Sequence, residues 1–259
     1  MDGEKFLLWN SEESSILITT GKGLSSQGKG LSSLKDKIIF THKGKIEIEN
    51  LEYGDTIFST QSKKYFVLKP TNEDINSKIT RKTNTFVIKD LSMILSYTSV
   101  NKFSKVLEIG VGSGACNIFL SNFVNKVVSI DIDINNLRIS KENIIKYGNS
   151  RDSFLILSNE KLISFKKESF DCIVIDIPEP EIYVDLCYDV LKFGGDLVFA
   201  VPNIEQVKRA REVFSKHKFV YFRTIEVWVR KWLVRPNYSR PHHEMQAHSM
   251  FFTFCKKIK

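Results

Sequence analysis

A glycine-rich segment near the middle of the chain has the composition of a ligand-binding turn. It reads EIGVGSGA at residues 108–115 and follows an apolar segment. Glycines let a backbone approach a ligand closely, and N–H groups at the start of the next helix can donate to it. The spacing also fits the dinucleotide fingerprint G-x-G-x-x-A, with Asp131 about twenty residues further on as the ribose-binding acid. The glycines alone therefore leave the ligand class open.

Glu108 discriminates between the candidate ligands. With it the segment matches E/D-x-G-x-G-x-G, and so resembles the first motif of class I S-adenosylmethionine-dependent methyltransferases. In that family the acid lies near the cationic ammonium and sulfonium groups of the cofactor. The pyrophosphate of a nicotinamide cofactor is anionic, and a carboxylate at this position would repel it. The resemblance therefore favours a methyltransferase over a dehydrogenase, and over a turn whose glycines bind nothing.

A second candidate segment, DIPEP at residues 176–180, follows the apolar run FDCIVI. Two prolines fix the backbone at alternate residues and prevent the next helix from starting early. A proline at the first position of a helix would explain one of them but not the pair. We therefore expect Asp176 to be held at the tip of a strand, on the edge of the sheet where a ligand binds.

The elements that must position these segments alternate between strand and helix signals from residue 71 onward. The predicted strands are VLEIG, KVVSID, SFLILS, FDCIVID, GGDLVFAVP, FVYFRTIEVWV and MFFTFCKK. The predicted helices cover residues 90–100, 115–124, 134–148, 182–192 and 203–217. Such an alternation indicates an α/β fold, a doubly wound, mostly parallel, seven-stranded Rossmann-like sheet that binds ligands at the carboxyl ends of its strands.

The first seventy residues instead contain short apolar or alternating segments, FLLWN, SILITT, KIIFTHKG, DTIFST and KKYFVLKP. They predict a small N-terminal β domain at residues 1–70, followed by a methyltransferase domain at residues 71–259. The duplicated GKGLSS at residues 21–26 and 28–33 predicts a mobile loop. Its GLSSQGK matches seven positions of a phosphate-binding P-loop, but Gly30 stands where Ser or Thr is needed. We therefore do not expect a nucleotide hydrolase.

Charge and composition narrow the class of partner. The chain has 259 residues, of which 42% are hydrophobic, so it can bury a substantial core. Its net charge is +8, and residues 204–259 hold 13 Lys and Arg against 4 Asp and Glu. This basic quarter suits a polyanionic partner, although solvated surface lysine gives the same pattern. No apolar run is long enough to span a bilayer and no secretory signal is recognisable, so we expect a soluble, cytoplasmic protein.

Together with other segments, the DIPEP motif carries a more specific resemblance. The chain resembles the tRNA adenine-58 N1-methyltransferase family, in particular the archaeal members that modify positions 57 and 58 of the T-loop. The matching segments are FTHKGKIEIENL, VLKPTNEDI, VLEIGVGSGA, DIPEP, VPNIEQV and VWVRKWLVRPNYSRPHHEMQAHSMF. The resemblance implies methyl transfer from S-adenosylmethionine to N1 of adenine 58 in tRNA, with adenine 57 as a second candidate target, by a homotetramer.

The resemblance also implies roles for single residues. Asp176 is the implied catalytic residue, and the implied cofactor-binding residues are Glu108, Gly110, Gly112, Ser113, Gly114, Ala115, Asp131, Asn159, Glu160 and Asp176. The substrate candidates, including the arginines and the lysine of the basic quarter, are Phe86, Pro178, Arg209, Arg211, Arg230, Lys231, Arg235, Arg240 and His248. Two segments depart from the family. Val87 and Ile88 replace the Tyr-Pro of its Tyr-Pro-Lys-Asp segment, which makes Phe86 the candidate stacking aromatic, and Glu181 replaces its Trp.

Two other functions stay open: a non-catalytic tRNA-binding subunit, and a class I methyltransferase with another substrate. The acids and glycines of the cofactor motif argue against the first, and the basic C-terminal quarter and THKG segment argue against the second. No metal is expected, because the HEMQAH segment at residues 243–248 separates its histidines by five residues, off one helical face. The four cysteines form no CxxC pair, and three lie where a buried role is expected.

Overall fold

The structure is a computed structural model that describes residues 4–10, 14–19, 38–48, 50–82, 85–159, 161–245 and 247–259. The duplicated GKGLSS segment, with its P-loop-like sequence, lies outside these residues. The chain divides into two compact units, Met1–Thr80 with Ile145–Tyr147, and Arg81–Ile144 with Gly148–Lys259. The domain boundary at residue 70 stays a prediction, since this division by contacts falls after Thr80.

Within its described residues, the first unit consists of short strands and one helix. These elements are β1 (Lys5–Asn10), β2 (Ser14–Thr19), β3 (Ile38–Thr41), β4 (Gly44–Glu47), β5 (Thr56–Phe58), β6 (Lys64–Leu68) and α1 (Asn72–Lys78). An antiparallel sheet has the order β2-β1-β6-β5, and β3 pairs with β4 as a separate hairpin. Leu8, Ile46 and Val67 are fully buried in its core.

The THKG segment forms the turn between β3 and β4. The hydroxyl of Thr41 donates to the carbonyl of Gly44 at 2.7 Å, and Gly44 has a φ of +97°, which favours glycine. Within the KIIFTHKG segment, Ile38–Thr41 form β3, and the residues that follow reverse the chain into β4.

The second unit is an alternation of strands and helices. Its elements are α2 (Ile88–Tyr97), β7 (Lys105–Ile109), α3 (Ala115–Leu120), β8 (Lys126–Asp131), α4 (Ile134–Tyr147, whose last residues group with the first unit), β9 (Ser153–Leu157), β10 (Phe170–Ile175), a 3-10 turn (Pro180–Tyr183), α5 (Val184–Val190), β11 (Leu191–Val201), α6 (Ile204–Lys216), β12 (Phe219–Ile225), β13 (Trp232–Arg235), β14 (Tyr238–Pro241) and β15 (Phe251–Lys257).

Seven of these strands form one sheet in the order β12-β15-β11-β10-β7-β8-β9. The five neighbouring strands β11, β10, β7, β8 and β9 are parallel to one another. Strand β15 is antiparallel to both of its neighbours, β11 and β12. Leu107, Ile173 and Leu197 are fully buried in adjacent strands, as expected where helices cover both faces. The predicted mostly parallel, seven-stranded α/β sheet is confirmed.

The strand order predicts a ligand-binding crevice beside β7. From β7 the chain continues to β8 on one side, and it later returns to β10 on the other side. In open α/β sheets, ligands bind at the carboxyl ends of the strands where the strand order reverses in this way. The glycine-rich segment follows β7 and Asp176 follows β10, so both lie at this edge.

Several predicted boundaries differ from the structure. The helix predicted over 115–124 ends at Leu120, and the one predicted over 182–192 is a 3-10 turn plus α5, because Leu191 already pairs with Phe170 as a strand residue. The hairpin of β13 and β14 was not predicted, since its side chains are mostly exposed and show no apolar alternation.

All four cysteines are buried and free. No helix within the described ranges is long and apolar enough to cross a membrane.

Candidate active site

The glycine turn after β7 packs directly against the backbone of Asp176. Gly110 has a φ of +90°, and a Cβ built on it would lie 2.3 Å from the carbonyl oxygen of Asp176. The N–H of Asp176 donates to the carbonyl of Ile109 at 2.8 Å, and the N–H of Gly110 donates to Ile130 at 2.9 Å. Only glycine fits this contact, so the glycine turn and Asp176, the predicted catalytic residue, lie together at one edge of the sheet.

Glu108 is a buried carboxyl in β7, with only 1% of its surface exposed. The hydroxyl of Ser129 in β8 donates to it, and the side-chain amide of Asn117 donates to that hydroxyl at 2.8 Å. The pKa of Glu108 is raised to about 8, chiefly by burial. Hydrogen bonds from Ser129 and Cys116 oppose this rise, and the carboxyl of Asp176 adds to it. A nearby positive charge would therefore stabilise the ionised form of Glu108.

Asp131 ends β8 and faces the glycine turn. Its carboxylate accepts hydrogen bonds from the N–H of Gly112 at 3.1 Å and from the N–H of Asp133 at 2.8 Å. The side-chain amide of Asn136 lies 3.3 and 3.4 Å from its two oxygens. These contacts fix the carboxylate beside the turn, at the position where ribose hydroxyls are expected.

Asp176 is half-buried at the end of β10. Its pKa is raised to about 7, chiefly by burial and also by the nearby carboxyl groups of Asp131 and Asp90. The carboxyl of Asp131 thus raises the pKa of both Glu108 and Asp176, and all three acidic side chains lie around the glycine turn. In the part of the chain that the structure describes, no group of three or more His, Cys, Asp or Glu is placed to hold a metal ion.

The remaining candidates for cofactor binding shape the turns after β7 and β9. The carbonyl of Ser113 accepts from the side-chain amide of Asn143 at 2.8 Å, and Ala115 is the buried first residue of α3. The side-chain oxygen of Asn159 accepts from the backbone N–H groups of Lys161 and Leu162 at 3.0 and 3.1 Å, which shapes the turn after β9. Gly114 is the left-handed N-cap of α3. Glu160 lies outside the described residues.

The substrate candidates near the sheet edge are placed in different ways. Phe86 is buried, and its ring centroid lies 5.3 Å from that of Phe252, which is a core position. Pro178 is exposed, and its carbonyl accepts from the side-chain amide of Gln206 at 3.0 Å. Its role towards a substrate, like that of Phe86, stays a prediction.

Arg209 and Arg211 both lie on α6 but have different partners. The Nε of Arg209 forms an ion pair with Glu181, and the guanidinium of Arg211 lies 5.1 Å from the ring centre of Phe222. Arg209 is therefore already paired with an acid, which the sequence alone did not indicate.

Four of the basic candidates lie in the segment 226–248, which contains the β13–β14 hairpin. Arg230, Lys231 and Arg235 are exposed and Arg240 is half-buried. The guanidinium of Arg230 contacts the sulfur of Met245 at 3.0 Å, and the carbonyl of Lys231 accepts from the N–H of His242 at 2.8 Å. The segment thus closes on itself and presents a basic surface.

His248, the last residue of this segment, joins it to Glu226 and to the end of β11. Its ring nitrogens lie 2.6 Å from a carboxylate oxygen of Glu226 and 2.9 Å from the carbonyl of Pro202, at the end of β11. The hydrogen bonds to Glu226 and Pro202 raise the pKa of His248. Since both neighbours are acceptors, the ring satisfies both only when it is protonated on each nitrogen.

Sequence reasoning missed the polar residues that support the site. Ser129 and Asn117, which are buried beside Glu108, lie in apolar segments and were not singled out. Lys89 and Asp90 form a buried ion pair at 2.7 Å, and the Lys89 amine also donates to Ser249. Polar residues inside otherwise apolar strands and helices were the signal that could have identified them.

The family model described as tRNA methyltransferase complex GCD14 subunit matches residues 63–251. The tRNA (adenine(57)-N(1)/adenine(58)-N(1))-methyltransferase TrmI of Methanocaldococcus jannaschii is 25% identical over 244 residues, 83% of this chain and 86% of the relative. The tRNA (adenine(58)-N(1))-methyltransferase TrmI of Thermus thermophilus is 25% identical over 224 residues, 84% of this chain and 88% of the relative.

Two solved structures have similar folds over the full chain. The S-adenosylmethionine-dependent O-methyltransferase of Thermotoga maritima has a TM-score of 0.84 at 25% identity, covering 100% of this chain and 94% of that one. The tRNA (m1A58) methyltransferase TrmI of Aquifex aeolicus has a TM-score of 0.80 at 23% identity, covering 100% and 98%. The second likeness is evidence for the fold alone.

Proposed function

We propose that this chain, which belongs to the tRNA methyltransferase complex GCD14 subunit family, transfers a methyl group from S-adenosylmethionine to N1 of adenine 58 in tRNA. The observation that carries the proposal is the set of acidic side chains, Glu108, Asp131 and Asp176, around the glycine turn. The target position follows the relatives named for adenine 58, and the archaeal relative makes adenine 57 a second candidate.

The chemistry of these side chains supports a cationic cofactor. The pKa of Glu108 is raised to about 8 and that of Asp176 to about 7, so both would be stabilised as carboxylates by a nearby positive charge. Glu108 would hold the methionine end, residues 110–115 the backbone of the turn, and Asp131 the ribose. When bound, S-adenosylmethionine supplies a methyl group activated by its positive sulfur. An anionic pyrophosphate would find no such compensation here.

Asp176 is the proposed catalytic residue. A neutral adenine N1 is already a nucleophile, so no strong base is needed before the attack. The carboxylate of Asp176 accepts a hydrogen bond from the 6-amino group and stabilises the positive charge that develops on the base. Its backbone is tied to β7 through Ile109 and Gly110, so the carboxylate is oriented before the substrate arrives.

The basic segment 226–248 and Arg211 of α6 would hold the tRNA. Position 58 lies inside the folded T-loop, so its adenine must be extruded into the site, at a cost of a few kcal/mol. Phosphate contacts from arginine and lysine offset such a cost. We further propose a cytoplasmic location and a homotetrameric assembly, which the family resemblance implies.

Methylation of tRNA transcripts with labelled S-adenosylmethionine tests the proposal. Wild-type transcript should be labelled, a transcript with adenine 58 replaced should lose that label, and replacement of adenine 57 decides whether it is a second target. Binding of tRNA without binding of S-adenosylmethionine would indicate a non-catalytic subunit. Binding of S-adenosylmethionine without any label on tRNA would indicate a methyltransferase of another substrate.

A further inference from the structure

The segment that carries Asp176 is fastened to one face of α6. Arg209 on α6 forms an ion pair through its Nε with Glu181 in the 3-10 turn. Gln206, one turn earlier on the same helix, donates its side-chain amide to the carbonyl of Pro178 at 3.0 Å. Residues three apart lie on the same face of a helix. A single face of α6 therefore holds both ends of the short segment 178–181.

Arg209 is the cationic partner of a largely buried carboxylate, that of Glu181. The Glu181 side chain is only 13% exposed, and a carboxylate withdrawn from water needs a cationic partner. Its Oε2 is buried and accepts no hydrogen bond from the described residues. Loss of the guanidinium would therefore leave a largely buried carboxylate without its ion-pair partner, and the 3-10 turn would have to move to expose it.

The same acids make Arg209 a poor site for a phosphate. A second carboxylate, that of Glu179, lies 4.0 Å from its Nη2. With two carboxylates beside it, the guanidinium is already compensated, and an approaching phosphate would be repelled by both. Its position on a basic helix is thus explained by the segment that it holds and not by the tRNA.

We propose that Arg209 is a positioning residue for methyl transfer, acting through Glu181 to hold the Asp176 segment in its reactive geometry, and that it does not contact tRNA phosphates. This inference rests on the proposed function. The segment is fixed on its other side where the N–H of Asp176 donates to Ile109 at 2.8 Å, so the ion pair completes a two-sided attachment. Small displacements of a reacting group cost large factors in rate.

The test compares Arg209→Gln with the charge-swapped double variant Glu181→Arg, Arg209→Glu. The control is Lys208→Gln, which removes an exposed ion pair with Glu205 on the same helix. At saturating tRNA and S-adenosylmethionine, Arg209→Gln should lower the single-turnover rate by about tenfold or more, with tRNA affinity changed less than about twofold. The swapped variant should recover most of the rate, and the control should match the wild type.

Amide hydrogen exchange gives a readout that does not depend on activity. Exchange over residues 177–183 should be faster in Arg209→Gln and slower again in the swapped variant. If the swapped variant does not fold, Glu181→Gln should reproduce both the loss of rate and the faster exchange.

Two results would overturn the proposal. A weaker tRNA affinity with a salt slope reduced by about 1 and an unchanged saturated rate would make Arg209 a phosphate contact. Unchanged exchange in Arg209→Gln would mean that the ion pair does not hold the segment. If the wild type labels no tRNA at all, the proposed function fails, while the exchange experiment still decides whether Arg209 holds this turn.

Discussion

Glu108 and Asp176 are carboxyl groups whose protonation depends on what lies beside them. Their pKa values are raised to about 8 and about 7, chiefly by burial, so without a nearby cation Glu108 is mostly protonated and Asp176 about half protonated at neutral pH. An unfolded chain would release these protons at lower pH. The folded protein without cofactor therefore loses stability as pH rises from the ordinary carboxyl range through these raised values.

Cofactor binding should be linked to proton release. A cationic ligand favours the ionised carboxyls, so affinity for S-adenosylmethionine should increase as pH rises from about 6 to about 7.5. Calorimetric titration in buffers of different ionisation enthalpy measures the protons released. Binding of S-adenosylmethionine to the Glu108→Gln variant should release fewer protons than binding to the wild type. Binding heats that do not depend on the buffer would contradict this role of the two carboxyls.

Asp176 gives the sharpest prediction at the residue scale. Asp176→Ala should leave the fold and tRNA binding largely intact, while turnover drops about 10²- to 10³-fold, as when one preorganised electrostatic partner is removed. Asp176→Asn should recover part of the loss if hydrogen bonding to the 6-amino group dominates, and little if negative charge dominates. The measurements are single-turnover rates and tRNA affinity. An alanine variant with near-normal turnover would place the catalytic carboxylate elsewhere.

At the scale of elements, the contact between the glycine turn and β10 leads to a further prediction. Gly110→Ala would put a Cβ 2.3 Å from the carbonyl oxygen of Asp176, at a φ of +90° that alanine rarely adopts. Such backbone strain costs about 1–3 kcal/mol. We expect a lower free energy of unfolding together with weaker S-adenosylmethionine binding, measured by denaturant titration and calorimetry. Gly194→Ala is the control for backbone strain, since its φ is +75° but no atom lies within 4 Å. Equal cofactor affinity in both variants would contradict the close contact.

The parallel core could be predicted because its strands are nearly continuous apolar runs, buried on both faces and bounded by turn residues. Glu108, Asp131 and Asp176 could be located because each lies in or directly after such a run. The β13–β14 hairpin could not, since its exposed side chains leave no apolar period. The Arg209–Glu181 pair was equally hidden. Partners 28 residues apart meet only because α6 packs beside the 3-10 turn.

At the scale of the whole molecule, the positive charge is concentrated in residues 204–259. Residues 204–259 carry the excess of Lys and Arg, and the segment 226–248 exposes Arg230, Lys231 and Arg235 around its hairpin. His248 and Glu226 join the two ends of this segment. The basic side chains of this segment therefore lie together on a loop whose two ends meet beside the sheet.

This arrangement predicts that tRNA affinity falls steeply with salt, because binding to phosphates releases counterions. The double variant Arg230→Glu, Lys231→Glu should weaken binding to all tRNAs alike and reduce the salt slope by about 1 for each phosphate that the variant no longer binds. Filter binding over a range of salt concentrations measures both. Arg138→Glu, Lys141→Glu changes the net charge equally on the exposed side of α4 and should have a smaller effect. Affinity that is flat with salt would make the basic surface a solvated face only.

The place of β15 in the sheet has a consequence for synthesis on the ribosome. In the part of the chain that the structure describes, β12 pairs only with β15, and β15 lies between it and β11. Translation proceeds from the N-terminus, so β12 and the edge of β11 emerge before the strand that joins them. Until residues 251–257 follow, the nascent chain exposes an unpaired, apolar strand edge that can pair with another chain. The sheet that carries the site is therefore completed only at the end of translation of these residues, and a ribosome that pauses before them would hold an aggregation-prone chain.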